Sequence, residues 1–239
     1  MAKLTLNKAE QKLIDDCIAL CEASTDQFDS MASGLVGNLR THSDLKEHIH
    51  FIKYRIKDPD HLRRKLEGKA LERKQQLRDK KKKIAPEINP DNFFKYINDV
   101  IGVRVIYLHT GQMPRIHAAL LDFFDVQQFK LMEKPTASCW DYEYEKMYKR
   151  LGIKTRATTG YSSVHYVIQV NKRTRWTCEI QVRTLTDEVW GEVSHLVNYP
   201  DESPSEVCQE QLKTLARFTT GCTRLVDTIF RVDGDARAD

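Results

Sequence analysis

Apolar and polar residues alternate most regularly between Gly160 and Thr184. β-Branched and aromatic residues recur at every second position on either side of a short polar break, Asn171 to Thr174, which predicts two antiparallel strands and a turn. Val164, Tyr166, Ile168 and Val170 share one face of the first strand; Trp176, Cys178, Ile180 and Val182 share one face of the second. Residues opposite one another in such a pair point the same way, so matching the apolar faces leaves a turn of three or five residues. His165, Glu179, Gln181 and Arg183 then fall on the other face. An imidazole, a carboxylate, an amide and a guanidinium on one face are either an ordinary wetted surface or the floor of a polar site.

The rest of the chain divides by the same reasoning. Asn7 and Glu10 have capping-box spacing, and Leu13, Ile14, Cys17, Leu20 and Cys21 predict a helix over about 8–24. Phe28, Met31, Leu35, Val36, Leu39, Leu45 and Ile49 extend helical character through 26–50. Ile52, Tyr54 and Ile56 alternate with Lys53, Arg55 and Lys57 in an extended piece, and Asp58-Pro59 starts a basic helix that Pro86 and Pro90 should end. A short helix over Asn92–Ile97 leads to a strand over Val103–Leu108, then a helix over Pro114–Phe124 and a strand over Val126–Leu131. Residues 133–159 read as loop or short helix, with Trp140, Tyr142, Tyr144 and Tyr148 among Lys146, Lys149 and Arg150. Thr184–Val197 predicts a helix with Leu185, Val189, Val193 and Leu196 inward, and Pro200 and Pro204 break it. Cys208, Leu212, Leu215, Thr219, Cys222, Val226 and Ile229 give a last helix a seam for the N-terminal helices or for a second subunit.

The expected class is therefore α+β: a mixed sheet of about five strands flanked by helices. A helical extension over 1–50 precedes the main domain at 51–200, and a helix with a loose tail follows at 201–239. With 41% hydrophobic and 30% charged residues the composition is that of a globular chain, and no apolar run reaches the ~18 residues of a membrane span. The first residues lack the apolar core of a secretory signal, and six scattered cysteines read as reduced thiols of a cytoplasmic protein. His42, His48 and His50 do not share a helix face and make a poor metal set.

The net charge is only +4, but between Arg63 and Lys83 eleven Lys or Arg face three Asp or Glu. Such a run is a solvated helix face or a rail feeding a polyphosphate or nucleic-acid site. Asp99 and Gly102 stand just ahead of a strand, with Arg104 at its start. Asp99 and Glu179, brought together by a sheet, would form the hard-oxygen site that Mg²⁺ takes when it also holds substrate phosphates.

Four separated pieces resemble one family, the RelA/SpoT-type alarmone synthetases. They are Arg55-Ile-Lys57 through Lys65-Leu66, Asp99-Val-Ile-Gly102-Val-Arg104, Gly160-Tyr161-Ser-Ser-Val-His165, and Glu179-Ile-Gln181-Val-Arg183-Thr followed by Trp190 and His195. They occur in the family's order across about residues 50–200, and the family's nucleotidyltransferase-like fold agrees with the expected class. The resemblance implies an enzyme that moves the β,γ-pyrophosphate of ATP to the 3′-hydroxyl of GDP or GTP, making (p)ppGpp and releasing AMP. It implies that Arg55 brackets adenine, that Lys57, Lys65 and Arg104 hold the ATP phosphates, and that Asp99 and Glu179 bind Mg²⁺. Glu179 would also help deprotonate the acceptor, Tyr161 would stack on its base, and His165, Gln181 and Arg183, with Lys154 and Arg156 from the preceding segment, would order that side.

The chain resembles a small synthetase without the hydrolase domain of long family members. Thr158-Thr159 replaces a basic-Pro-Asn segment, and Glu188 stands where relatives often have Asn or His. These departures leave open a toxin-like relative that modifies the tRNA 3′ end and is met by an antitoxin, an adenine-nucleotide acceptor, or a silent nucleotide- or RNA-binding module.

Overall fold

The computed structural model describes residues 4–158, 160, 162–171, 173–198 and 202–238. Two helices, α1 (Lys8–Glu22) and α2 (Thr25–Thr41), precede β1 (Ile49–Ile56), α3 (Pro59–Arg78), α4 (Phe93–Tyr96), β2 (Ile101–Tyr107) and α5 (Met113–Val126). There follow β3 (Lys130–Leu131), β4 (Thr136–Cys139), α6 (Tyr142–Arg150), β5 (Lys154–Ala157), β6 (Ser163–Gln169), β7 (Thr177–Thr184), α7 (Leu185–Asn198) and α8 (Glu206–Ala238). The strands form one mixed sheet in the order β1-β2-β7-β6-β4-β5, with β3 beside β6. Seven strands stand where about five were expected, the additions being the short pieces β4 and β5 on one edge.

The central hairpin pairs Val164 with Val182, Tyr166 with Ile180 and Ile168 with Cys178, and the Val170 N–H donates to the Trp176 carbonyl at 3.1 Å. Of the two registers that the apolar faces allow, this is the one with the five-residue turn. Those six paired side chains are fully buried beneath α2, α4 and α5, while Glu179, Gln181 and His165 point to the opposite face. β2 lies between β1 and β7, pairing Lys53 with Arg104 and Arg104 with Gln181. A row of Lys53, Arg104, Gln181 and His165 therefore crosses four adjacent strands on one face.

The helix starts follow their caps. Asn7 and Glu10 close a capping box on α1, and the Asp58 carboxylate accepts from the Asp60 N–H at 2.9 Å and the His61 N–H at 3.2 Å, with Pro59 in the first turn. Helix ends depart from the expectations. α2 stops at Thr41, and Ile49 belongs to a strand, because β2 offers that segment a full ladder of backbone partners. α3 stops at Arg78, well before Pro86, with Asp79 as its cap and Lys80 in the left-handed region at φ 50°. α5 runs on to Val126, leaving only Lys130 and Leu131 of the strand expected there.

The larger correction concerns α7 and α8. Val189, Val193 and Leu196 are exposed, and α7 instead buries Asp187 and Glu188 against the sheet. Asp187 accepts from the Thr184 hydroxyl at 2.6 Å and the Ser162 N–H at 3.1 Å, so it fixes the segment entering β6. α8 packs along α7 through Leu212, Ala216, Thr219 and Thr223, leaving Cys222 and Ile229 of the expected seam exposed. Segment 139–156 holds α8 in place: the Trp140 indole donates to the Thr220 hydroxyl at 3.1 Å, and the Tyr144 hydroxyl donates to Asp227 at 2.7 Å. No helix among the described residues is long and apolar enough to cross a membrane. Asp58→Ala removes the acceptor for two otherwise orphaned N–H groups, and is expected to lower unfolding free energy in urea titration by about 1 kcal/mol.

Candidate active site

Two adjoining cavities open on the polar face of the sheet. The first, about 230 Å³, is lined by Lys53, Arg55, Asp99, Gly102, Arg104, Glu179, Gln181, Glu192 and His195 among others. The second, about 320 Å³, adds Arg183, Trp190, Gly191, Ser194 and Asn198, and shares Arg55, Arg104, Gln181 and His195 with the first. Strands β1, β2 and β7 supply the floor and α7 the wall. The Arg55 stem lies across Gly102, its strand partner, where a Cβ would sit 3.6 Å from the Arg55 Cγ.

Asp99 and Glu179 line the same cavity, so both acids lie on one side of the sheet. Asp99 precedes β2 and is clamped by two ammonium groups, Lys57 Nζ and Lys65 Nζ, each at 2.7 Å from a different carboxylate oxygen. Lys57 is placed by its own N–H, which donates to the Val100 carbonyl at 2.8 Å, and Lys65 by the capped first turns of α3. Burial pushes the Asp99 carboxyl up, but the charge of Lys65 and the hydrogen bonds from both lysines outweigh it and pull the pKa down to about 2. Burial likewise opposes ionisation of Glu179. The hydrogen bond and charge of His165, at 2.9 Å, and the Gln181 amide, at 2.8 Å, still bring it below its ordinary value.

The hydrogen bonds continue. Arg183 Nη2 donates to the Gln181 carbonyl oxygen at 2.6 Å and Arg183 Nη1 to Glu188 Oε2 at 3.2 Å. Glu188 Oε1 receives Arg104 Nη1 at 2.9 Å and Lys53 Nζ at 2.7 Å. Glu192, one turn further along α7, also pairs with Arg104 and with Lys53, the latter at 3.1 Å. His195 lies at the junction of the two cavities; burial, then the charges of Arg55 and Arg104, hold its pKa below the ordinary value. Two glycines make room here: a Cβ on Gly160 would meet the Trp190 ring at 2.4 Å, and one on Gly191 would meet Arg183 Nη1 at 2.5 Å.

Of the residues singled out from sequence, the cavities gather Arg55, Asp99, Arg104, Glu179, Gln181 and Arg183, with Lys57, Lys65 and His165 bonded directly behind them. Tyr161 lies outside the described residues. Lys154 and Arg156 stand on β5, the far edge of the sheet, and line neither cavity; Arg156 donates to the Ser138 hydroxyl at 2.9 Å. Trp140 and Tyr144 are spent on α8. Three cations of the basic helix pair with acids of neighbouring segments, Arg63 with Asp15, Lys74 with Glu10 and Arg73 with Glu87, as on an ordinary surface helix. Sequence reasoning missed Lys53 and Glu192 as site residues and read Glu188 only as a departure. The signal for Lys53 was its place two before Arg55 on one strand face, and for the acids their i, i+4 spacing.

Among the described residues no group of three or more His, Cys, Asp or Glu could by itself hold a metal ion. Two ionised carboxylates on one cavity nevertheless fit Mg²⁺, which takes few protein oxygens and completes its shell from phosphate and water. Each carboxylate oxygen keeps a lone pair beyond the hydrogen bond it already accepts.

A mixed sheet with two carboxylates and converging cations on one face is a surface suited to polyphosphates. The chain belongs to the RelA/SpoT family: the family model, a region found in RelA and SpoT proteins, matches residues 54–204. Its fold resembles the small alarmone synthetase 1 from Bacillus subtilis, at TM-score 0.59 and 18% identity over 91% of this chain and 98% of that one. The same synthetase bound to its product pppGpp matches at TM-score 0.52 and 17% identity, over 97% and 100% of the two chains. A GTP pyrophosphokinase family protein from Streptococcus pneumoniae matches at 0.54 and 17%, over 89% and 92%. No curated protein sequence matches the chain.

Two outcomes follow. Because Asp99 has a folded pKa of about 2 against an ordinary 3.8, the stability it contributes is complete above about pH 4 and is lost as pH falls through 2. Asp99→Asn is therefore expected to flatten that stretch of the acid-unfolding curve. Glu192 pairs with Arg104 and Lys53, so Glu192→Gln frees part of their positive charge and should tighten inorganic triphosphate binding in calorimetry by about two- to fivefold, the worth of one half-exposed ion pair.

Proposed function

We propose that the chain is a Mg²⁺-dependent pyrophosphotransferase that carries the β,γ-pyrophosphate of ATP to the 3′-hydroxyl of GDP or GTP. The supporting observation is the pair of adjoining cavities that share Arg55, Arg104, Gln181 and His195, the first of them lined by Asp99 and Glu179. Donor and acceptor need adjacent seats, and the transfer needs cations fixed in advance where phosphate charge shifts. Family membership and the product pppGpp held by a fold relative point the same way.

In this reading the first cavity takes the donor. Arg55, the exposed guanidinium over Gly102, brackets the adenine, and Lys57, Lys65, Lys53 and Arg104 meet the phosphates. Asp99 and Glu179 hold Mg²⁺, which would neutralise phosphate charge. The acceptor enters the second cavity beside Arg183 and Trp190. Glu179, kept ionised, accepts the hydrogen bond of the 3′-hydroxyl and takes up its proton as that oxygen attacks the β-phosphorus. The new O3′–P bond forms as the bond to the α-phosphate oxygen breaks, and AMP leaves. Gln181 and His165 hold the Glu179 carboxylate in place throughout. The engagement of Trp140 and Tyr144 with α8 favours a free nucleotide over an RNA end as acceptor, since those rings are the ones that would stack on bases.

The test is incubation with Mg²⁺ and β-labelled ATP and, separately, GDP, GTP, unlabelled ATP and deacylated tRNA. Label in the guanine nucleotide with one AMP released per transfer is expected. Label in tRNA or adenine nucleotide alone would replace the acceptor, and no transfer at all would leave a binding module. Glu179→Gln should abolish transfer while ATP binding persists; transfer at the wild-type rate would remove the role given to that carboxylate.

A further inference from the structure

We infer that Glu188 is the positioning residue that ties the donor cavity to the acceptor cavity, so that each nucleotide tightens the binding of the other. The inference rests on the donor and acceptor assignment above. Four elements meet at this one side chain: Lys53 from β1, Arg104 from β2, Arg183 from β7 and Glu188 from α7. Glu188 is only 5% exposed, so its charge depends on those three cations and not on water.

Its two oxygens reach different cavity walls. Oε1 receives Lys53 at 2.7 Å, which lines only the first cavity, and Arg104 at 2.9 Å, which lines both, while Oε2 receives Arg183 at 3.2 Å, which lines only the second. From Arg183 the chain runs through Gln181, at 2.6 Å, to Glu179, at 2.8 Å. A phosphate that draws Arg104 and Lys53 forward loosens the hold on Oε1, and the same carboxylate carries that change to Oε2 and the acceptor side. Arg183 has little freedom to ignore it, because its guanidinium lies in the slot left by Gly191. An amide cannot replace this bridge: it offers one acceptor oxygen and turns an NH₂ group towards a cation, whereas Asp keeps both oxygens and the charge.

The experiment reads binding and not turnover. The affinity of a non-hydrolysable ATP analogue is measured by calorimetry with and without saturating GDP, in the wild type and in Glu188→Gln, Glu188→Asp and Gly191→Ala. Wild type is expected to show coupling of about five- to 150-fold. Glu188→Gln should bring that ratio to near one, and Glu188→Asp should restore part of it. A side chain that merely holds the fold together would lower Tm and weaken each nucleotide alone while leaving the ratio intact, and that result would overturn the inference. Should Glu188→Gln fail to fold, Gly191→Ala keeps every charge and displaces only Arg183, and an unchanged ratio there overturns it equally. GDP that binds wild type without any coupling sinks the bridge alone. GDP that fails to bind sinks the acceptor assignment together with the bridge.

Discussion

The site depends on the compensation of buried charge on one face of the sheet. Arg104, Arg183, Lys53, Lys57 and Lys65 converge on a small region, and none of them would stay there unopposed. Asp99, Glu188 and Glu192 answer them, and the burial of Asp99 and Glu188 limits the screening of their pairs. Such an arrangement fixes the cations in position on the polar face.

The same requirement shapes the helices that cover the site. α7 turns Asp187 and Glu188 inward because the sheet beneath offers hydroxyl, amide and guanidinium partners for them. Its valines and Leu196 are left outside. α8 repeats the pattern, with threonines, Arg224 and Asp227 facing the body and Phe218, Leu225, Ile229 and Val232 facing out. Helix periodicity alone would have turned Val189, Val193 and Leu196 of α7 inward. Satisfying buried polar groups outweighed burying a few more aliphatic carbons, since an unpaired carboxylate under the sheet would cost more than several exposed valines.

Glu188 brings to this face a full negative charge that binds three cations. The aromatic segment before the hairpin serves as the polar latch that seats α8 on the body.

Local patterning in the sequence determined the central hairpin, its apolar face, its polar face and the caps that start α1 and α3, because those features follow from period-two alternation and from side chains bonding N–H groups a few residues away. It also placed Arg104, Glu179 and Gln181 on candidate strands and Asp99 just ahead of one, through motifs whose spacing survives without coordinates. The tertiary structure alone decided that Lys53 stands beside Arg104, that Glu188 and Glu192 close over both, and that Lys154 and Arg156 lie three strands beyond β7. Each of those relations depends on strand order or on which face a helix turns inward. Both are set by long-range partners and the cost of leaving a buried charge alone, which the order of residues along one segment does not carry.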